Sequence, residues 1–418
     1  MQKLGGAVIL MNRNDVTILA GSETINRMAM QPFSGEVILF LDELSKRIRK
    51  NKEASLYPDV MTFGFFCRRA NIESQKSKYD NLANRLGRGV VFHIAPSNVP
   101  INFAYSYVFG LLAGNSNVVR VSSKQFPQVY LLGDIMNEIF EDNKHQMIKE
   151  HTLIVEYARK KEITDWYSSI CQSRVIWGGD QTIEEIRKSP LPPRSVELTF
   201  ADRYSIGVIS PEYILSLTEE ELNRLANGFY NDTYLMDQNA CSSPHLILWK
   251  KETAMSKDEF LKAKERFWQQ VFEATKKYEL ADIKVSEKYS MLCEMTTSMK
   301  NIELVKRYEN LLYVITLKSL MEAESKAKSK DDIRYRGKFG LFFETEIDSW
   351  EDLAPLIDEK VQTLAVAGIA PSKMQEIVLN NQWCGIDRIV PFGKTLDISL
   401  TWDGYDIISM LSRVVAIQ

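Results

Sequence analysis

Residues Gly89 to Lys124 read GVVFHIAPSNVPINFAYSYVFGLLAGNSNVVRVSSK and differ in composition from the rest of the chain. The first 31 of these residues, Gly89 to Val119, contain no Asp, Glu, Lys or Arg. The chain as a whole is 26% charged, so an average segment of this length would hold about eight charged residues. A run this poor in charge is typical either of a membrane span or of chain that is covered by protein on every side.

Prolines and polar side chains argue against the membrane span. Pro96 and Pro100 interrupt the run. Polar side chains would also lie at bilayer depth, where each is costly, among them Ser97, Asn98, Asn102, Asn115 and Asn117. The pattern instead predicts a buried strand (VVFHI), a turn (APSNVP), an apolar helix near Ile101 to Leu112 and a second buried strand (NVVRV). The N-terminus has no sustained apolar core followed by a cleavage site, so we expect no signal peptide and a cytoplasmic protein.

Composition narrows the class of protein further. A length of 418 residues predicts two to three domains with a large core, and 52 basic against 55 acidic residues give no basic field for nucleic acid. With four His, and with no CxxC or HExxH spacing, we expect no metal site. The five cysteines are scattered and odd in number, which favours thiols in a reducing compartment: Cys67, Cys171, Cys241, Cys293 and Cys384.

Strand and helix patterns alternate from Val90 to Phe200 and predict a doubly wound α/β domain with a mostly parallel sheet. After the strand YSIGVI the pattern indicates a second α/β domain, with a Lys-, Glu- and Met-rich helical region and a helix from Asp352 to Leu364. We therefore expect an N-terminal segment and cofactor-binding domain over 1–205, a catalytic domain over 206–385, and a C-terminal segment over 386–418. That last segment would pack on the cofactor domain or form an oligomer interface.

In an open α/β sheet, ligands bind beyond the carboxyl ends of the strands, and here those turns are APSNVP, SSK and WGGD. None of them is a GxGxxG fingerprint, so a standard Rossmann dinucleotide site is not supported. Pro96 and Pro100 make a rigid turn that can aim Ser97 and Asn98 at a fixed point. An equally weighted interpretation is that Asn98 only caps the helix that follows.

The other two turns offer weaker signals of the same kind. Hydroxyls and cations follow the second buried strand and suit an adenosine ribose or its 2′-phosphate, although a solvated loop explains them equally well. The paired glycines of WGGD permit close approach of a ligand to the backbone, and the aspartate can cap the next helix. The candidate residues are Arg120, Ser122, Ser123 and Lys124, followed by Gly178, Gly179 and Asp180.

Cys241 differs from the other cysteines in its surroundings. It stands in DQNACSSP, a segment of small and polar residues that ends at Pro244 before the buried strand HLILW. A thiolate in such a turn can attack a carbonyl carbon. His245 lies four residues on and suggests a Cys/His dyad, but a strand there need not direct the imidazole towards the thiol. The other four cysteines are interpreted as small core residues.

Four motifs, in this order along the chain, resemble those of the LuxC-type acyl-CoA reductases, a branch of the aldehyde dehydrogenase superfamily. They are HIAPSNVPINFAYSYVFGLLAGNSNVVRVSSK, VIWGGD, YNDTYLMDQNACSSPHLILW and GIDRIVPFGKTLDISLTWDGYDII. The similarity covers the chain from about residue 85 to the C-terminus. It implies an aldehyde-dehydrogenase-like fold, NADPH as cofactor, an acyl-CoA or acyl-protein substrate, an acyl-protein synthetase as partner, and a homo-oligomer.

The resemblance also assigns roles to individual residues. It implies that Cys241 is the nucleophile and that Asn98 completes an oxyanion hole. Glu197 lies where hydrolytic relatives carry a general base in an ELGG motif, which here has become ELTF. The implied cofactor site consists of Ser97, Arg120, Ser122, Ser123, Lys124, Gly178, Gly179 and Asp180.

Three functions remain open from the sequence. The first is NADPH-dependent reduction of a fatty acyl-CoA to the aldehyde through an acyl-cysteine. The second is the same chemistry on another acyl or aldehyde substrate. The third is a cysteine acyltransferase or thioesterase that uses Cys241 and His245 without a nicotinamide cofactor. The Met and Tyr residues between Tyr289 and Met295 suggest either an acyl-chain tunnel or a plain core cluster.

Overall fold

The uncharged run folds as a buried strand, a turn, a buried helix and a second buried strand, which confirms the sequence prediction. The computed structural model describes residues 7–9, 15–320 and 335–417. Residues 1–6 and 10–14, where the sequence predicts no signal peptide, lie outside these residues. The end of the Lys- and Glu-rich region, at 321–334, also lies outside them. By its contacts the chain divides into two units, Met1–Ala201 with Leu400–Gln418, and Asp202–Ser399. The functional boundaries expected at 205/206 and 385/386 stay predictions.

Strands and helices alternate through most of the described chain. The strands are β1 (Ala7–Ile9), β2 (Thr17–Gly21), β3 (Thr24–Asn26), β4 (Arg85–Gly87), β5 (Val90–Ile94), β6 (Ser116–Val121), β7 (Thr152–Glu156), β8 (Ser173–Trp177), β9 (Val196–Phe200), β10 (Tyr204–Ile209), β11 (Pro244–Lys250), β12 (Ile302–Tyr308), β13 (Leu312–Leu317), β14 (Leu341–Ile347), β15 (Val361–Ala367), β16 (Arg388–Pro391), β17 (Thr401–Trp402), β18 (Tyr405–Asp406) and β19 (Ser412–Val414). The helices are α1 (Gly35–Lys50), α2 (Pro58–Phe66), α3 (Arg69–Lys76), α4 (Asn102–Leu112), α5 (Pro127–Phe140), α6 (Gln146–Glu150), α7 (Lys161–Ile170), α8 (Asp180–Arg187), α9 (Pro211–Ser216), α10 (Glu219–Thr233), α11 (Lys257–Thr275), α12 (Asp282–Ser298), α13 (Pro371–Asn380) and α14 (Ile407–Leu411).

The larger sheet of the first unit has the order β2-β7-β6-β5-β8-β9. All its strand pairs are parallel except the edge pair β2 and β7. The central strands are apolar because helices cover them: every residue of β5 is buried, and so is nearly all of α4. The absence of charge from Gly89 to Val119 is therefore a consequence of burial at the centre of this sheet.

The second unit contains a seven-stranded sheet with the order β12-β13-β14-β11-β10-β15-β16, parallel except at β12. Its inner strands alternate between two cores, as side chains on successive residues of a strand must. On one face, Ile247 and Trp249 of β11 pack with aromatic side chains of α10 and α11. On the other face, Leu246 and Leu248 pack with residues of β10, β13 and β15.

The helix expected from Asp352 to Leu364 is wrong. A short 3₁₀ turn covers Glu351–Leu356, and Val361–Ala367 forms the fully buried strand β15 between β10 and β16. Pro355 stands inside the turn, and a proline there does not permit a regular α-helix to continue. A short apolar run that is buried on both faces has no periodicity to distinguish strand from helix, which explains the error.

The cluster between Tyr289 and Met295 belongs to α12. Leu292 is buried in the core of the second unit, and Met291 and Met295 pack against that core from its side. Tyr289 is exposed at the surface. The simpler of the two interpretations, a core cluster, therefore accounts for the methionines.

Candidate active site

The Cys241 segment connects α10 to β11. After α10 ends at Thr233, a 3₁₀ turn leads to two residues in the left-handed region, Asp237 (φ 53°) and Gln238 (φ 63°). Cys241 follows in a turn and is half-buried, and its backbone carbonyl accepts a hydrogen bond of 2.7 Å from the hydroxyl of Ser205. The segment therefore presents a partly accessible thiol on a turn that is bonded to β10.

The other cysteines lie in different environments. Cys67 and Cys171 are buried, and loss of solvation raises the pKa of both thiols, that of Cys171 to about 12. A buried thiol with a raised pKa is inert at neutral pH. Cys293 and Cys384 are exposed, so the interpretation of these two as small core residues is wrong. Of the five thiols, Cys241 alone combines partial exposure with a polar turn, as the sequence suggested.

His245 is held away from the role of a general base. It lies on β11, is buried, and its Nδ1–H donates to the backbone carbonyl of Gly337 at 3.1 Å. Burial, together with the nearby positive charge of Arg336, lowers the pKa of His245 to about 3. An efficient base needs a pKa near the working pH. This environment disfavours a Cys241/His245 dyad.

The turn with Asn98 lies between β5 and α4. Ser97 and Asn98 are exposed between Pro96 and Pro100, and in the described part of the chain the Asn98 amide makes no hydrogen bond to protein. The N-cap position of α4 is occupied by Ile101, without a side-chain cap. The alternative in which Asn98 caps α4 is therefore wrong, and Asn98 is exposed.

At the end of β6, the backbone N–H of Lys124 donates to the Ser122 hydroxyl at 3.2 Å, while Ser123 and Lys124 are exposed. Arg120 contacts Tyr157, the residue after β7. Its guanidinium packs over the ring of Tyr157 at 4.8 Å, and burial lowers its pKa. The loop thus offers hydroxyls and one ammonium group to a ligand, next to the Arg120 side chain at the end of β6.

At the end of β8, the paired glycines lead directly into α8. Gly179 is the N-cap (φ −66°), and Asp180 is the first helical residue, so the prediction that Asp180 caps this helix is wrong. A Cβ atom added at Gly179 would meet no protein atom within 4 Å, whereas one added at Gly178 would approach Thr182 Cγ2 to 3.1 Å. The start of α8 is therefore open to a ligand, and Asp180 is exposed beside it.

Sheet topology brings these three turns together. β6, β5 and β8 are adjacent and parallel, so the turns that follow them lie along one edge of the sheet. Neighbouring strands are about 4.8 Å apart, so the three turns span about 10 Å. This edge, at the carboxyl ends of the strands, is where open α/β sheets bind ligands.

A buried polar chain lies under this edge and was not singled out from the sequence. Trp177 Nε1 donates to Ser106 Oγ (2.9 Å), which lies 2.7 Å from Nδ1 of His93, and Nε2 of His93 lies 3.0 Å from Asn117 Oδ1. Burial lowers the pKa of His93 to about 4, so the ring is neutral. The chain ties β5, β6, β8 and α4 together. The sequence signal was present, since His93, Ser106 and Asn117 are polar residues within the uncharged run from Gly89 to Val119.

Glu197, on β9, lies in an arginine clamp. Its Oε2 accepts hydrogen bonds from Nε (2.8 Å) and Nη2 of Arg174, and its Oε1 accepts one from Arg187 Nε at 2.7 Å. The Arg174 side chain is 2% exposed and that of Glu197 16%. Both carboxylate oxygens are therefore engaged. A catalytic role for Glu197 stays a prediction, and the clamp accounts for the residue without one.

We expect Glu197→Gln to lower the stability of the protein while kcat/KM stays within about two-fold of wild type. Removing one partner of a buried ion pair leaves the Arg174 charge uncompensated, at a cost of about 3 kcal/mol. Urea unfolding and steady-state kinetics measure the two quantities. Glu185→Gln, which removes an exposed ion pair with Lys188, is the control and should change little. A stable Glu197→Gln protein with a large loss of turnover would instead assign Glu197 to catalysis.

Two general features bear on the class of protein. In the described residues, no three or more His, Cys, Asp or Glu side chains are grouped so as to hold a metal ion. None of the helices in the same residues has the length and apolar character needed to cross a membrane.

Comparison with solved structures shows an aldehyde dehydrogenase fold. Aldehyde dehydrogenase 21 from Physcomitrella patens, solved with its product succinate, matches with a TM-score of 0.58 and 10% identity over 92% of this chain and 86% of that one. A 1-pyrroline-5-carboxylate dehydrogenase mutant from Thermus thermophilus matches with a TM-score of 0.59 and 10% identity, over 99% of this chain and 92% of that one. An NAD-dependent benzaldehyde dehydrogenase from Corynebacterium glutamicum matches with a TM-score of 0.55 and 13% identity, over 90% of this chain and 84% of that one.

The family is identified by sequence. No curated protein matches the chain. The family model for acyl-CoA reductase (LuxC) matches residues 67–414, which include the Asn98 turn, the two other strand-end turns and the Cys241 segment. Family and fold together indicate an oxidoreductase that acts on acyl or aldehyde groups. The chain belongs to the LuxC family of acyl-CoA reductases.

Proposed function

We propose that this protein reduces a fatty acyl-CoA to the aldehyde with NADPH, through a thioester to Cys241. The observation that carries the proposal is the Cys241 turn, which presents a half-buried thiol in a chain of this family. A thiolate attacks a thioester readily, and a covalent acyl group holds its carbonyl carbon at a fixed position for the next step.

The reaction then has two halves. The Cys241 sulfur bonds to the thioester carbonyl carbon, the bond from that carbon to the CoA sulfur breaks, and CoA leaves as its thiol. When bound, NADPH supplies a hydride to the same carbon. The resulting thiohemiacetal loses the Cys241 thiolate as its hydroxyl proton leaves, which releases the aldehyde and restores the nucleophile. The balance is acyl-CoA, NADPH and one proton to aldehyde, CoA and NADP⁺.

Each addition to the carbonyl carbon creates an oxyanion. We propose that the Asn98 side-chain amide and the backbone N–H of Cys241 stabilise it. Asn98 suits this role because its amide is exposed and not engaged by protein in the described chain, on a turn that two prolines make rigid. Fixed donors of this kind stabilise developing charge without having to reorganise during the reaction.

The carboxyl edge of the first unit's sheet fits a nicotinamide cofactor. Exposed hydroxyls and the Lys124 ammonium suit the adenosine ribose and its 2′-phosphate, and the open start of α8 suits close approach to the backbone. The Asp180 carboxylate suits a ribose hydroxyl better than a phosphate. We propose that the cofactor is held by Ser97, Arg120, Ser122, Ser123, Lys124, Gly178, Gly179 and Asp180.

Gly179→Val tests this loop. A Cβ at this position meets no protein atom within 4 Å, and valine fits the φ of −66°, so we expect unchanged thermal stability. The new side chain would occupy the space proposed for the cofactor, and the KM for NADPH should rise about ten-fold or more while kcat falls less. Initial rates at varied NADPH concentration measure the effect. Unchanged kinetics would remove this loop from the cofactor site.

One assay separates the proposed function from its alternatives. Purified protein is mixed with medium- or long-chain acyl-CoA, with and without NADPH, and both NADPH absorbance and free CoA are followed. The proposal requires loss of NADPH that depends on acyl-CoA, with about one CoA released per NADPH oxidised. CoA release at the same rate without NADPH would indicate a thioesterase or acyltransferase. Activity only with short or non-fatty substrates would indicate the second alternative.

The cellular location, the oligomeric state and the source of the acyl group are proposals as well. We propose a cytoplasmic protein, since none of the described cysteines forms a disulfide. We also propose that it acts as a homo-oligomer and receives its acyl group either from acyl-CoA or from an acyl-protein synthetase.

A further inference from the structure

The backbone before Cys241 is strained. Asp237 and Gln238 are consecutive residues with φ of 53° and 63°. Residues other than glycine rarely occupy this left-handed region of backbone conformation. Each such residue costs free energy and persists only where its surroundings hold it in place. The contacts of this segment therefore show what fixes the thiol three residues later.

The side chain of Gln238 supplies the first contact. It is 1% exposed, and both ends of its amide are used: Nε2 donates to the Leu341 carbonyl at 3.0 Å, and Oε1 accepts from the Gly340 N–H at 3.0 Å. The amide thus pairs with the backbone at the start of β14 much as another strand would. This pairing attaches the residue before Asn239 to the sheet of the second unit.

Ser205 supplies the second contact. Its side chain is completely buried, donates to the Cys241 carbonyl at 2.7 Å, and accepts from the Thr363 N–H at 3.1 Å. The pairing of β10 with β15 shifts register at this point, from Tyr204 opposite Val361 to Ile206 opposite Leu364. The hydroxyl therefore replaces a ladder partner for Thr363 and at the same time bonds the backbone of the nucleophile.

We propose that Ser205 and Gln238 are positioning residues for the Cys241 thiol, which they hold in its reactive geometry through the backbone on either side. The proposal rests on the proposed function. With the carbonyl of residue 241 fixed to β10 and residue 238 fixed to β14, the segment between them has little freedom. Catalysis depends steeply on such geometry, since an error of about 1 Å in position can cost up to about 10²-fold in rate.

The experiment compares Ser205→Ala with Thr345→Val in the full-length protein. Thr345 is 2% exposed, lies on β14, and its hydroxyl donates to the Leu317 carbonyl at 3.1 Å, so its loss costs a similar buried hydrogen bond away from Cys241. Three quantities are measured for both proteins: kcat and KM for acyl-CoA, the thermal midpoint, and the rate at which iodoacetamide labels each cysteine, followed by peptide mass spectrometry.

For Ser205→Ala we expect kcat to fall about ten-fold with KM nearly unchanged, and labelling of Cys241 to become several-fold faster because the turn is loosened. Labelling of exposed Cys293 and of buried Cys67 and Cys171 should not change, which reports that the fold is intact. Thr345→Val should lose comparable thermal stability and keep kcat and Cys241 labelling. Equal kcat and equal labelling in the two variants would overturn the proposal and leave Ser205 a purely structural residue.

Two further variants keep the test decisive. Ser205→Cys retains a weak donor of similar size and should give a kcat between those of wild type and Ser205→Ala. Gln238→Glu keeps the shape but loses the donor to Leu341, and should also lower kcat and speed Cys241 labelling. If Ser205→Ala does not fold, these two decide, and wild-type kcat in both would overturn the proposal. Labelling requires neither NADPH nor acyl-CoA, so it tests positioning even if the proposed reaction fails.

Discussion

Cys241→Ala should abolish acyl-CoA-dependent oxidation of NADPH, with a loss of at least about 10³-fold in kcat. Without the thiol no covalent acyl intermediate can form. No other nucleophile is proposed to take the place of Cys241, and acyl-CoA that is not bound to the enzyme through a thioester is not held in position for hydride transfer. The substitution is small and the site is half-buried, so the thermal midpoint should shift little. Loss of NADPH absorbance measures the rate, and mass spectrometry of protein incubated with acyl-CoA alone measures acylation.

The controls for this prediction are other thiols of the same chain. Cys293→Ala and Cys384→Ala remove exposed cysteines and should leave both turnover and acylation unchanged. In wild type, the acyl group should be found on the peptide that contains Cys241 and should disappear when NADPH is added. Turnover by Cys241→Ala near the wild-type rate, or acylation of another residue that NADPH discharges, would contradict the assignment of the nucleophile.

The central part of the fold was predictable because its signal is local. The uncharged run from Gly89 to Val119 shows burial directly, and prolines mark both ends of the turn between its strand and its helix. Where burial is equally complete but no such punctuation bounds the apolar run, as in β15, the same reasoning gave a helix in place of a strand. Apolar composition reports burial reliably and the type of element only when turn residues accompany it.

The candidate site was predictable to a different extent. Cys241 and the strand-end turns could be found because each is a short motif whose residues are neighbours in the chain. Ser205 and Gln238 could not be found, because their partners are 36 and about 100 residues away and depend on the register of β10 and β14. The clamp on Glu197 was hidden for the same reason, since Arg174 lies on the neighbouring strand.

The capping alternative for Asn98 shows how structure narrows a choice that sequence leaves open. From sequence, an amide just before a helix suits a cap as well as a catalytic donor. The helix begins at Asn102, four residues later, with Ile101 as its N-cap, so the cap does not explain Asn98. What remains is an exposed amide on a rigid turn, at the ligand-binding edge of a parallel sheet.

Asn98→Ala should therefore lower kcat about 10²- to 10³-fold, the usual effect of removing one donor from an oxyanion hole. The KM for NADPH should change by less than about two-fold, and the thermal midpoint should not move, because the described structure shows no protein partner for this amide. The combination of a large loss of turnover with intact stability distinguishes a catalytic donor from a residue that only shapes the turn. Steady-state rates and a thermal scan measure both.

Asn98→Asp sharpens the test, since it keeps the size of the side chain and replaces N–H donors by a negative charge. If the amide faces the oxyanion, the carboxylate should repel the developing charge, and kcat should fall further than in Asn98→Ala. If Asn98 only maintains the turn, an isosteric residue should restore turnover towards wild type. Normal kcat in Asn98→Ala, or better kcat in Asn98→Asp than in Asn98→Ala, would remove Asn98 from the mechanism and leave the Cys241 backbone N–H as the proposed donor.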